Sequence, residues 1–92
     1  MTLSKQYGKF RVTITHHALK RMIQRSIYAD NIIKIILKAV KQYQNSEKLI
    51  IANEQEGYCL VVVIEGNNNI TLITVIKSNT YKPKDNELLI AV

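Results

Sequence analysis

Residues 15–27 read THHALKRMIQRSI, and within them His17, Arg21 and Arg25 recur at every fourth position. On a helix this spacing stacks the three side chains into one slowly drifting ridge, so an imidazole and two guanidiniums can address a single phosphate or a short run of nucleic-acid backbone. The set suits metal-independent RNA cleavage, in which a 2′-hydroxyl attacks the neighbouring phosphorus. An imidazole moves protons near neutral pH. Guanidiniums neutralise charge growing on the non-bridging oxygens, because they are permanently charged and their fork matches phosphate oxygens. The same spacing also describes an ordinary solvated helix face, where Lys, Arg, His and Gln commonly sit. His16 stands about 100° around the helix from His17, so the two do not share a face, and His16 reads as a capping or surface residue.

Further basic positions extend the pattern. Lys20 joins the polar side of the first helix, and Lys34, Lys38 and Lys41 form a stripe on a second one that could guide a nucleic-acid backbone or simply face solvent. Tyr81, flanked by Lys77, Lys82 and Lys84, is an aromatic among cations in a loop-like segment, an arrangement suited to stacking a splayed base or to covering a sheet edge. Thr74 lies in a strand among apolar neighbours, where a β-branched residue needs no special reason.

Several site types are excluded. No histidine pair has helical metal-ligand spacing, no carboxylate pair is poised for glycoside chemistry, and three glycines do not make a dinucleotide-binding fold. No metal or cofactor is expected. The single cysteine, Cys59, precludes an internal disulfide framework and reads as a small buried hydrophobe. The longest apolar run, YCLVVVI, is too short to cross a bilayer, and no signal-peptide segment opens the chain, so a cytoplasmic site of action is expected, with delivery as part of a larger secreted effector left open.

The elements that must carry these residues follow from periodicity. One domain over residues 1–92 is expected from length, and an apolar fraction of 47% with a charged fraction of 22% predicts a folded chain. Phe10, Val12 and Ile14 alternate with polar residues as in a half-buried strand. The period then changes: Ala18, Leu19, Met22 and Ile23 fall on one side of a helix of about three turns, with Thr15 or His16 at its N-cap and Ser26 at its end. A longer helix places Ile32, Ile33, Ile36, Leu37, Val40 and Tyr43 on its apolar side. Strands follow at 48–52, 58–64 and 70–76, with 87–92 a short edge strand. The predicted class is α+β: an N-terminal strand and two helices packed on one face of an antiparallel sheet of three to four strands. Net charge is +6, divided unevenly: residues 1–48 hold ten Lys/Arg against two acids, and residues 49–92 three against five. A polyanion-facing surface or a basic surface kept for solubility would each produce that asymmetry.

ITHHALKRMIQRSI also resembles the signature T-x-H-A-x-x-R-M-x-x-R-x-I of a family of small, mostly uncharacterised bacterial domains, with Thr15, His17, Ala18, Arg21, Met22, Arg25 and Ile27 matching and the likeness extending over roughly residues 10–78. That family looks related to the barnase, EndoU, colicin and RelE-like ribonucleases, which include RelE and BrnT toxins and toxin modules of contact-dependent growth inhibition. The resemblance implies a RelE/barnase-like toxin fold that cleaves RNA (tRNA, mRNA or ribosome-bound) without metal, with His17, Arg21 and Thr74 as catalytic positions and Arg25 in support. It also implies a cognate antitoxin or immunity protein, which an acidic surface would steer onto the basic face. The sequence departs from the family pattern at Ser26, where glycine is usual, and at Tyr28, where a Ser/Thr/Asp cap is common. Two other readings use the same residues: a nucleic-acid-binding module without catalysis, and a protein-interaction domain docking an acidic partner.

Overall fold

Alternation of apolar residues along residues 10–14 and continuous apolar character along 58–64 require one strand at a half-covered position and another deep in a sheet. A computed structural model of the chain places them so, describing residues 3–42, 48–53, 56–66, 68–77 and 88–91. The elements are β1 (Leu3–Tyr7), β2 (Phe10–Ile14), α1 (His16–Gln24), α2 (Ala29–Gln42), β3 (Lys48–Asn53), β4 (Tyr58–Glu65), β5 (Asn69–Lys77) and β6 (Leu88–Ala91). Tyr43, expected on the apolar side of α2, lies outside the described residues.

The α+β class and the helices on one sheet face are as expected, but the sheet is neither antiparallel throughout nor limited to four strands. It has six strands in the order β1-β2-β5-β4-β3-β6. β2 pairs with β5 and β3 with β6 in parallel; the remaining neighbours are antiparallel. The physical reason is that side-chain alternation fixes which residues face the core and says nothing about strand direction. β1 carries almost no apolar signal, since its side chains are exposed except for half-buried Tyr7. It forms because Tyr7 pairs with Phe10 across a two-residue turn in which Gly8 takes φ 59, a conformation glycine adopts without strain.

The main core lies between the helices and one face of the sheet, where Phe10, Val12, Ile14, Leu60, Val62, Ile70, Leu72 and Val75 meet Ala18, Met22, Ile32, Ile33, Ile36 and Val40. The opposite face holds a smaller cluster of Ile50, Ala52, Cys59 and Val61. Cys59 is buried, as its reading as a small hydrophobe requires. Only Ala18 and Met22 of α1 are fully buried, while Ile23 is 77% exposed, contrary to the expected apolar side. A helix this short buries one narrow i, i+4 stripe, and Ile23 lies about 100° beyond Met22.

Candidate nucleic-acid interface

Thr15 sets the position of α1. Its hydroxyl accepts from the Ala18 N–H at 3.1 Å, capping the helix, and donates to the Ile73 carbonyl at 2.8 Å. That carbonyl is available because β5 bulges: Val61 pairs with Thr74 and Val62 with Leu72, leaving Ile73 as the extra residue. The first turn of α1, with His16 and His17, is thereby anchored to the centre of the sheet.

His17 and Arg21, one turn apart and both exposed, line one small hollow of about 140 Å³ together with Lys20 and Gln24. This is the arrangement that an imidazole and a guanidinium need to meet one phosphate. Arg25 does not join them. It is half-buried and lines a larger groove of about 830 Å³ with Ser26, Ile27, Tyr28, Asn31, Lys34, Ile35, Asn53, Glu56 and Tyr58. The expected ridge of three is therefore a pair plus a neighbour that opens onto the next depression.

The groove is built where three turns converge. Ile27 N–H donates to the Met22 carbonyl at 2.9 Å and Ser26 N–H to the Ile23 carbonyl at 3.2 Å, a Schellman closure of α1 that puts Ser26 in the left-handed position at φ 54. Tyr28 follows, its carbonyl accepting from Ile32 N–H at 3.3 Å as α2 begins. Across the groove, Asn53 organises the β3–β4 turn: its Oδ1 accepts from Glu56 N–H at 3.2 Å and its Nδ2 donates to the hydroxyl of buried Tyr58 at 3.3 Å.

Thr74 is not near this region. Its register partner Val61 belongs to the cluster on the sheet face away from the helices, so Thr74 shares that face while α1 lies on the other. Its Oγ1 is buried and has no hydrogen-bond partner among the described residues. No group of three His, Cys, Asp or Glu among the described residues could hold a metal ion.

A family described as a domain of unknown function, DUF4258, matches residues 14–77. The chain belongs to the DUF4258 family. No curated protein and no solved structure matches it. The DUF4258 match opens at Ile14, the end of β2, and closes at Lys77, the end of β5, so it contains α1, α2, the three-strand meander and every residue of the hollow and the groove. Lys34 lines the groove, whereas exposed Lys38, one turn further along α2, lines neither depression. Lys77 is the register partner of Tyr58. Tyr81 lies outside the described residues. Within the DUF4258 region, sequence reading missed Tyr28, Asn31, Asn53, Glu56 and Tyr58 as groove residues. The available signal was local: Ser26 and Tyr28 each occupy a helix-end position that other residue types fill better.

No helix among the described residues is long and apolar enough to cross a membrane.

Proposed function

We propose that the chain is a metal-independent endoribonuclease, a toxin of RelE/barnase-like type. One observation carries the reading: His17 and Arg21 share a solvent-open hollow with Lys20. His17 takes the proton from a 2′-hydroxyl, the resulting oxygen attacks the adjacent phosphorus, and the bond from phosphorus to the 5′-oxygen breaks. Lys20, whose ammonium can give up a proton where a guanidinium does not, protonates the departing oxygen. The Arg21 guanidinium neutralises charge building on the non-bridging oxygens. Products are a 2′,3′-cyclic phosphate and a 5′-hydroxyl end, and no metal takes part. A strand leading into two helices and then a β meander is the element order that supports the fold comparison. A toxin of this kind acts in the cytoplasm on tRNA, mRNA or ribosome-bound RNA and is held in check by an acidic antitoxin or immunity protein covering the basic face.

The test is incubation of the purified chain with total bacterial RNA in the presence of a chelator, followed by analysis of fragment ends. Cyclic phosphate ends under chelation are expected; intact RNA, or cleavage that stops when metal is removed, would rule the chemistry out.

A second reading, an RNA-binding module that does not cleave, is favoured by the separation of Arg25 from His17 and by the placement of Thr74 on the far sheet face. It keeps the basic surface and gives up the proton transfer.

A further inference from the structure

Two successive local rules are broken at the junction of α1 and α2, and both exceptions open into the larger groove. Ser26 holds a left-handed φ of 54, which costs a residue with a Cβ more than it costs glycine. Tyr28 precedes the first turn of α2, where a short oxygen-bearing side chain would cap the free N–H groups. A phenol cannot fold back to do so, and Tyr28 is instead 75% exposed. Neither choice serves the fold, and departures of this kind gather where a surface is used.

The groove's lining has a polarity. Arg25 and Lys34 contribute two cations, and neither has a carboxylate partner among the described residues. Asn53 is committed at both ends, to Glu56 N–H and to Tyr58, so it is scaffold. Asn31, the Ser26 hydroxyl and the Glu56 carboxylate have no hydrogen-bond partner among the described residues. A carboxylate repels phosphate but accepts from an amino group, so Glu56 in the lining suits a base edge and not the backbone. An unstacked base needs an aromatic platform, and the exposed Tyr28 lines the same groove as the two cations. A volume of about 830 Å³ is in the range of sites that enclose a small molecule the size of a nucleotide. Gln24 lines the hollow and Arg25, the next residue, the groove; His17 and Arg25 are eight residues apart, about 12 Å of helix, which a short run of RNA backbone can span.

We propose that this groove seats one unstacked nucleotide of a single-stranded RNA, with its base on the Tyr28 ring, its phosphate between Arg25 and Lys34, and an amino-bearing base edge read by Glu56. The proposal rests on the reading that the chain acts on RNA and specifies how that RNA is gripped. Uracil, which has no exocyclic amino group, is the base the groove favours least.

The experiment measures binding of fluorescent 2′-O-methyl hexacytidine and hexauridine, which cannot be cleaved, to the full chain at low salt by anisotropy. Wild type binds both, cytidine more tightly; Tyr28→Ser weakens binding roughly five- to a hundredfold, while Tyr28→Phe stays within about twofold of wild type. The thermal midpoint of Tyr28→Ser equals or exceeds that of wild type, since serine caps α2, which separates lost stacking from lost folding. Glu56→Gln brings the two oligonucleotides to nearly equal affinity. Wild-type binding that Tyr28→Ser leaves unchanged would overturn the groove while leaving RNA as the target. No binding of either oligonucleotide by wild type would overturn both, and capture of polyglutamate in a Tyr28-dependent way would assign the groove to an acidic protein instead.

Discussion

The Thr15 hydroxyl joins α1 to the bulge of β5: it donates to the Ile73 carbonyl at 2.8 Å and accepts from the Ala18 N–H at 3.1 Å. One side chain thus serves as helix cap and as the tie between the helix that carries His17 and the centre of the sheet. Replacing Thr15 with Ala removes both bonds and is expected to cost about 1–2 kcal/mol, whereas Ser, which keeps the oxygen, should retain most of it. Thermal unfolding of the two variants decides the matter. A midpoint for Thr15→Ala within a degree of wild type would show that the hydroxyl is dispensable.

How far the sequence already contained this arrangement depends on whether the information was local. The helix carrying His17 and Arg21 was legible because residues 16–24 and their cap lie within one contiguous, periodic stretch. β4 was legible as an interior strand because both its faces are apolar, with Tyr58 through Val62 all buried. The parallel pairing of β2 with β5 brings Val12 beside Ile70, and no alternation of side chains encodes that choice. The groove was hidden for the same reason, since Arg25 and Tyr58 meet only through the fold. Thr74, a catalytic position only by resemblance, lies on the face away from α1 because the bulge at Ile73 shifts the alternation of β5 by one residue.

Thr74 supplies the next expectation. Its Oγ1 is buried without a partner among the described residues, and a valine of nearly the same shape removes that polar atom. Thr74→Val should stabilise the chain by about 1 kcal/mol, a rise in thermal midpoint of roughly 4–8 °C for a domain of this size, and leave RNA cleavage unaltered. Loss of cleavage in a stable Thr74→Val protein would restore the residue to the active site.

Ser26 should accept glycine readily. The left-handed backbone at φ 54 is relieved while the Schellman bonds remain, so Ser26→Gly is expected to be stabilising by about 0.5 kcal/mol, net of the extra entropy of glycine in the unfolded chain. Ser26→Val at the same position should be clearly destabilising. Equal denaturation midpoints for the two variants would mean that the turn is not held in this conformation in solution.

Salt dependence separates the cations. Each phosphate contact to a single strand contributes about 0.7 to the slope of log affinity against log salt. Lys34 lines the groove and Lys38 lines neither depression, so Lys34→Ala should flatten the slope by about that amount and Lys38→Ala by less. Identical slopes for the two variants would point to diffuse attraction by the basic surface in place of a defined track.

The most direct measurement compares cleavage and affinity in one protein, His17→Ala, using an RNA that wild type cuts. Removal of a proton-transfer group should lower the cleavage rate by about 100-fold or more while RNA affinity, carried by Arg21, Arg25 and Lys34, changes by no more than about twofold. Cleavage by His17→Ala at the wild-type rate would contradict the account, as would a wild-type chain that binds RNA and never cuts it.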